Sequence, residues 1–404
     1  MKILVLNAGS SSHKAALFDF SVGQEPLWRS QLDWTHRAGA VELEAEAADG
    51  REHQATLETQ DKTEGIRWML DTLVDSPVQI LQDLSEIQAI GHRVVHGGRD
   101  YQQSTQITPA VKEAIKQLFP LAPSHNPANL QGIEAMEAIL PLVSQVAVFD
   151  TAFHSQMPAA ASTYPGPYDW VKQGIQRYGF HGISHRYVAQ RAAELMHRDL
   201  ADLKIITCHL GNGCSLAAVR NGVSADTTMG FTPLDGLMMG SRSGSVDPGI
   251  VIYLARHDHL SADELDTLLN KASGLKGISG VSNDMRQVRE AADSGSDRAQ
   301  LAYDMFIHSL RRNIGAMLGN LGGLDALVFT AGIGENSPDI WQATCQNWDF
   351  LELSLNEETL HRSKTDQDIA TLESQVRVFV IHTHEEWAIA QDCLKILGED
   401  SSHH

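Results

Sequence analysis

Two distant stretches of this chain carry the same unit: an apolar strand, a polar turn containing glycine, and a second apolar strand directly after it. In the first, Lys2–Leu6 is leucine-rich and β-branched, Asn7-Ala-Gly-Ser-Ser-Ser12 is turn chemistry, and Lys14–Phe20 is apolar again. In the second, Lys204–Cys208 predicts a strand and His209-Leu-Gly-Asn-Gly213 a turn. Cys214–Val219 returns, and Asn221-Gly222 marks a further hairpin. More strands end in polar or glycine-rich residues: Ile90–Val95, Gln145–Phe149 before Asp150, Ala326–Thr330 before Gly332, and Arg377–Ile381 before Thr383. Helical segments alternate with them, among them Pro109–Leu118, Ser184–His197, Ser261–Lys271, Ala299–Leu318 and Glu385–Leu397, the last with Trp387, Ala390, Leu394 and Leu397 on one face. Strands alternating with helices make an α/β chain. The recurring hairpin predicts two related domains facing one another across a cleft. Their boundaries are expected at 1–150 plus a returning 385–404, and at 151–384, with the tail from Glu399 unstructured.

Charge narrows what such a chain binds. Acidic side chains number 51 against 31 basic ones, a net charge of -20. That excludes nucleic acid or an anionic membrane surface as the main partner, since both are bound by basic surface. Any anionic substrate must meet local cations inside a cleft, against the overall field. No apolar run approaches a membrane span, and the four cysteines form no C-x-x-C pair. Both features predict a reduced, cytoplasmic protein.

Each glycine turn follows a strand, where successive backbone N–H groups converge without a Cβ in the way, an arrangement suited to phosphate oxygens. Asn7 to Lys14 adds three serine hydroxyls and an ammonium. Gly211, Asn212 and Gly213 form the second turn, and Ala331-Gly-Ile-Gly-Glu-Asn336 is read as the third. One such turn is equally what a plain hairpin needs; three in one chain point to a nucleotide site. A P-loop, a protein-kinase glycine loop, a G-x-S-x-G elbow and H-E-x-x-H are all missing from the sequence, and Ser337 replaces the third glycine of a dinucleotide fingerprint.

Isolated cations supply the second signal. Arg93 lies inside a strand, where a guanidinium needs an anionic partner. Arg242 lies in Met239-Gly-Ser-Arg-Ser-Gly244, read as a flexible loop with little to bury it, and Arg286 follows Asp284. Taken singly, each arginine also reads as a surface ion-pair partner; two aimed at one cleft clamp a carboxylate and a phosphoryl group. Asp150 ends an apolar strand, a usual place for a functional group in α/β proteins. His185 reads as a helix cap, and His96, His197, His257, His259 and His361 as surface or cap histidines. Glu385 and Glu386 either stabilise the start of the last helix or ligate Mg²⁺.

Together these residues resemble the acetate kinase (acetokinase) family. The resemblance is carried by Asn7-Ala-Gly-Ser-Ser-Ser-His-Lys14, Gly91-His-Arg-Val-Val-His-Gly-Gly98, Val148-Phe-Asp-Thr-Ala-Phe-His154 and Arg177-Tyr-Gly-Phe-His-Gly182. His209-Leu-Gly-Asn-Gly213, Met229-Gly-Phe-Thr-Pro-Leu-Asp-Gly-Leu-Met-Met-Gly240 and Phe329-Thr-Ala-Gly-Ile-Gly-Glu-Asn336 extend it over nearly the whole chain. It implies two ribonuclease-H-like, actin-like domains with an interdomain nucleotide cleft, a homodimer, and Mg²⁺-dependent phosphoryl transfer (Mn²⁺ substituting) between ATP and acetate, giving ADP and acetyl phosphate. By the same resemblance, the metal ligands are Asn7 and Glu385, and the catalytic group is Asp150, His181, Arg242 and Arg93. Nucleotide contacts fall on Lys14, on His209, Leu210, Gly211, Asn212 and Gly213, on Asp284, Met285 and Arg286, and on Gly332, Ile333, Gly334, Glu335 and Asn336. The acyl pocket falls on Arg93, Val95, Ser124, His125, Phe180 and Pro233.

Four positions depart from that pattern. His13 stands where an apolar residue is usual, Ser245 where Asp is, His384 where a small polar residue is, and Ser124 where Leu is. The smaller Ser124 predicts unusual tolerance of propionate, so a propionate or butyrate kinase is the alternative from the same superfamily. A nucleotide-switched ATPase of the Hsc70 or actin kind is the alternative from another class, and it would leave Arg93 and Arg242 without an anionic acceptor.

Overall fold

The computed structural model describes residues 1–360 and 366–400, so His361 and residues 401–404 lie outside the described chain. The chain divides into two compact units, Met1–Ala152 with the stretch from His384, and Phe153–Thr383.

The first unit is built on β1 (Lys2–Ala8), β2 (Ser12–Asp19), β3 (Trp28–Asp33), β4 (Val41–Ala47), β5 (Glu52–Leu57), β6 (Ala89–Val94), β7 (Thr105–Gln106) and β8 (Ser144–Phe149). Their order is β5-β4-β3-β2-β1-β6-β8-β7. The second unit holds β9 (Lys204–Leu210), β10 (Cys214–Arg220), β11 (Val223–Thr227), β12 (Ala326–Thr330), β13 (Gln367–Asp368) and β14 (Arg377–Val380), in the order β11-β10-β9-β12-β14-β13. Within both sheets the same five-strand core appears. Three antiparallel strands are followed by two parallel to the first: β3-β2-β1-β6-β8 and β11-β10-β9-β12-β14. This is the ribonuclease-H-like, actin-like unit, present twice.

Both faces of the central strands are covered, which is why they read as continuous apolar runs rather than alternating ones. Ile90 joins the cluster of Leu70, Ala135 and Met136. One residue on, and so on the opposite face, Gly91 admits the C-terminal helix Glu385–Asp400. A Cβ there would lie 2.6 Å from Ile389 and 2.7 Å from the Cys393 sulfur. The second hairpin has the turn its sequence predicts: Asn221 and Gly222 both have positive φ, 55° and 78°, as a two-residue type I′ turn requires.

Several expected element ends shift. β1 continues through Asn7 and Ala8, and β9 through His209 and Leu210, because in each case the neighbouring antiparallel strand keeps pairing past the point where apolar character stops. Ala331–Asn336 is a short helix rather than a glycine turn, entered through Ala331 at φ 65°. The last helix runs through Glu399 and Asp400. No helix among the described residues is long and apolar enough to cross a membrane.

Histidine placement departs most from expectation. His197, His257 and His259 are exposed, but His96 is fully buried, with its Nδ1 accepting the Gly98 N–H at 3.0 Å. Burial likewise holds His13, His92 and His154, with His96, near pKa 4, down from 6.5. At His13 the positive charge of Lys62 adds to the burial effect. A native pKa below the unfolded one means that the unfolded chain binds more protons between pH 6.5 and 4. Stability is therefore unaffected above 6.5 and falls as pH drops through that window, by up to about 1.4 kcal/mol per pH unit for each such group. Urea midpoints are expected to fall steeply from pH 7 to pH 5, and His13→Leu to flatten that slope while raising the midpoint at pH 7. A midpoint independent of pH over this range contradicts the reading.

Candidate active site

Parallel pairing of β1, β6 and β8 brings their C-terminal ends to one edge of the first sheet, where Asn7, Arg93 and Asp150 lie. Asp150 is 1% exposed and takes the Arg93 fork: Arg93 Nε donates to Oδ1 at 3.0 Å and Nη2 to Oδ2 at 2.7 Å. Glu385, at the start of the C-terminal helix, brings Oε2 to 3.5 Å from Arg93 Nη1. Burial works against the charge on Arg93, but the two carboxylates outweigh it and hold its pKa above the ordinary guanidinium value. Asp150 thus orients an arginine, with its oxygens already facing N–H donors. Lys14 pairs with Asn7 across β1 and β2, and is exposed beside the exposed Ser10 and Ser11.

Two residues that the sequence reading missed set the Gly91–Gly98 segment. Asn129 Oδ1 accepts the Val95 N–H and Asn126 Oδ1 the His96 N–H, both at 3.1 Å, and Asn126 Nδ2 returns a bond to the His96 carbonyl. These asparagines open the helix Asn126–Ile139, with His125 as its N-cap, so Val95 and His125 are tied through that helix start. Two buried amides spaced i, i+3 in an apolar helix were the available signal. Ser124 precedes them and is exposed.

Asn7 and Glu385 offer a hard metal ion one amide oxygen and one carboxylate. Among the described residues there is no cluster of three His, Cys, Asp or Glu that would cage a metal by itself. An oxygen-only set of few protein donors fits Mg²⁺, which keeps several waters and draws its remaining ligands from phosphates.

In the second unit, His181 is the N-cap of the helix Gly182–Leu195 with φ 58°. It stacks on His209 with centroids 4.1 Å apart. A Cβ built on Gly213 would lie 3.4 Å from His181 Nε2 and 3.5 Å from Arg242 Nη1, so both groups flank one point on the Gly211–Gly213 turn. Arg242 is not on a loose loop. Its carbonyl accepts the Met239 N–H, and its neighbours bond to Leu269 and Ser273. Its guanidinium is half-buried, donates to the Pro233 carbonyl at 3.3 Å, and has no carboxylate partner among the described residues. Burial, without such a partner, lowers its pKa.

The three expected nucleotide stretches meet in this unit. The turn closes by Gly211 N–H to Gly213 carbonyl at 3.0 Å, and Asn212 bonds to the Gly240 N–H and to Asn283 Nδ2. Asn283 precedes Asp284, the N-cap of the helix Met285–Asp293, whose carboxylate is held ionised first by the Arg286 side chain and then by its backbone N–H. Gly211 faces Ala331, at 3.8 Å from its hypothetical Cβ. Leu210 and Met285 point into the core, leaving only their main chain for a ligand, whereas Gly332 and Asn336 are exposed and Ile333 is partly so. Glu335 is committed to the protein: its Oε1 accepts the N–H groups of Ala331 and Thr383, and its Oε2 meets His382. Phe180 is buried at 1% exposure. Ser245 fits where it stands, because its hydroxyl donates to Asp235 at 2.6 Å and accepts the Gly236 N–H; an Asp there would oppose Asp235. His185 is not a cap; it lies fully buried between Thr207 and Ser215.

Comparison with known proteins shows the family to which such a chain belongs. Residues 2–391 match the Acetokinase family. The chain is 57% identical over 403 residues to acetate kinase of Nostoc punctiforme, covering 98% of this chain and 100% of that one. It is 57% identical over 400 residues to acetate kinase of Gloeobacter violaceus, covering 97% and 98%. The crystal structure of Porphyromonas gingivalis acetate kinase superposes with a TM-score of 0.93 at 40% identity, covering 98% of this chain and 99% of that one. A propionate kinase from Francisella tularensis superposes at 0.90 with 39% identity, covering 98% and 99%.

Proposed function

This chain belongs to the acetokinase family, and from that premise we propose that it is an acetate kinase, exchanging a phosphoryl group between ATP and acetate to give ADP and acetyl phosphate. A carboxylate oxygen of acetate attacks the γ-phosphorus in line as the bond to the ADP oxygen breaks. Acetate is already ionised at neutral pH, so no general base is needed. The difficulty is holding an anion against a polyphosphate and stabilising charge on the transferring oxygens. Arg93, oriented by Asp150, holds the carboxylate. Arg242 and His181 donate to the equatorial phosphoryl oxygens. The main chain of the Gly211–Gly213 turn, with the stretches around Asp284 and Gly332, holds the nucleotide, and Lys14 meets its phosphates. When bound between Asn7 and Glu385, Mg²⁺ (or Mn²⁺) would neutralise charge on the β- and γ-phosphates.

The observation that carries this reading is Arg242. In a chain of net charge -20, a half-buried guanidinium with no carboxylate partner among the described residues stands beside His181 at a glycine turn. Such a group is costly unless an anion arrives. Mg-ATP, acetate and hydroxylamine are expected to yield acetyl hydroxamate. ATP hydrolysis that ignores acetate and yields no hydroxamate defeats the proposal.

The propionate kinase neighbour keeps acyl preference open, and Ser124, which is exposed, is the residue proposed to set it. A methylene in an apolar pocket is worth about 1–3 kcal/mol. Ser124→Leu is expected to raise the acetate-over-propionate ratio of kcat/KM by about tenfold. An unchanged ratio across a formate-to-butyrate panel removes Ser124 from specificity.

A homodimer is proposed as well. The helix Pro248–His257 has no buried residue although Ile250, Ile252 and Tyr253 are each about half exposed, and Gly315 and Gly319 of the helix Asp297–Leu321 have open space around them. A second copy covering these faces gives a sedimentation coefficient of a dimer, which Ile252→Glu should lower. An enzyme that consumes ATP works where ATP is, so the proposed compartment is the cytoplasm.

A further inference from the structure

A chain of single hydrogen bonds runs inward from His181. Its Nδ1 lies 2.9 Å from Ser215 Oγ, Ser215 Oγ lies 2.8 Å from His185 Nε2, and His185 Nδ1 lies 2.7 Å from Thr207 Oγ1. Ser215, His185 and Thr207 are all fully buried, so bulk water cannot exchange for any link. Adjacent antiparallel strands β9 and β10 hold Thr207 and Ser215, and the helix capped by His181 holds His185 one turn further on. Burial and the nearby His154 and His209 keep His185 neutral, so it carries one ring proton. Ser215 and Thr207 carry one hydroxyl proton each. When the Ser215 and Thr207 protons both lie along the relay, they run in one of two directions, and the direction sets which nitrogen of neutral His181 carries its proton.

We propose that Ser215, His185 and Thr207 are positioning residues that fix neutral His181 as the Nε2–H tautomer, aimed at the phosphoryl oxygen. This rests on the reading above that His181 donates to that oxygen. In this setting Thr207 donates to His185 Nδ1, His185 Nε2–H donates to Ser215, Ser215 donates to His181 Nδ1, and the His181 proton sits on Nε2, from which it donates to the phosphoryl oxygen. The opposite setting ends with Thr207 donating to the Ala217 carbonyl, at 3.4 Å the longest contact of the set, and leaves His181 Nε2 as an acceptor facing an oxygen that also only accepts. Donation from Nε2 would then need a doubly protonated ring. The Arg242 guanidinium, flanking the same point on Gly213 as His181 Nε2, disfavours that second positive charge.

The test begins with the wild-type protein, so it does not depend on a variant folding. In [¹⁵N]histidine-labelled enzyme, with the His181 signals identified by their loss in His181→Gln, the long-range ¹H–¹⁵N pattern is expected to be that of the Nε2–H tautomer at pH 7.5. The Nδ1–H pattern overturns the proposal. Ser215→Ala, checked for an unchanged melting profile, is expected to lower kcat about 10- to 100-fold while the KM values for ATP and acetate stay within about twofold, with Ser215→Thr recovering most of the rate. A Ser215→Ala enzyme with wild-type kcat also overturns it. His181→Gln separates the two readings. If it is inactive while Ser215→Ala is fully active, only the relay fails; if it is fully active, the role given to His181 fails and the relay with it.

Discussion

Arg242→Ala is expected to lower kcat by about 10²–10³-fold while leaving thermal stability unchanged or slightly raised. One preorganised donor aimed at developing charge is commonly worth about 3 kcal/mol, and a guanidinium supplies two N–H groups to a phosphoryl group at once. The unusual part is the stability term. Removing a half-buried cation normally strands its counter-charge, at a cost of about 3–5 kcal/mol. Arg242 has no counter-charge among the described residues to strand, and its backbone is pinned independently through the bonds at Met239, Leu269 and Ser273. The loop should therefore keep its shape when the side chain is cut back. Arg242→Lys keeps the charge without the planar fork and should recover only part of the rate. Free guanidinium added to Arg242→Ala should restore some activity, as the space left by the side chain opens next to the turn. A variant retaining more than a tenth of the wild-type kcat sinks this role.

How much of this was readable in the chain can be seen residue by residue. The paired sheets were legible because β1 and β9 are buried on both faces, and continuous apolar runs bounded by glycine leave few other solutions. Arg93 and Asp150 were legible because a guanidinium inside a strand demands a carboxylate, and the structure supplies it at 2.7 Å. His185 was not. Its neighbours in sequence suggested a helix start, while its role depends on Thr207 and Ser215, which reach it only through strand pairing and helix packing. Nor was the confinement of Arg242, because the glycines around it look like flexibility until Gly274 is seen to have no room. A Cβ there would lie 2.2 Å from the Met239 carbonyl oxygen, so the glycine is where two segments pack closely. His96 misled for a related reason. An imidazole is weakly polar enough to be buried neutral, and only its neighbours in space decide that.

Asp150→Asn is expected to lower kcat about 10²–10³-fold without altering the shape of the pH profile between about pH 6 and 9. Were Asp150 a general base, its loss would remove a titrating limb. Acetate brings its own negative charge, so there is no proton to take. The structural argument is the geometry of the Arg93 fork. Nε and Nη2 both point at Asp150, and Nη1 approaches Glu385. An asparagine presents one acceptor and one NH₂ to the same edge, so the guanidinium must rotate away from the NH₂ to recover its bonds. Glu385 then becomes its strongest partner, which pulls Arg93 toward a proposed metal ligand and away from the acetate carboxylate. The KM for acetate should rise together with the loss in kcat, and that for ATP should stay nearly constant. Because Asp150 acts through Arg93, the double variant with Arg93→Lys should be little worse than the poorer of the two single ones, a coupling that a double-mutant cycle reads directly. Full additivity would mean that Asp150 acts on the phosphoryl side by itself, and near-wild-type turnover in Asp150→Asn would remove it from the reaction.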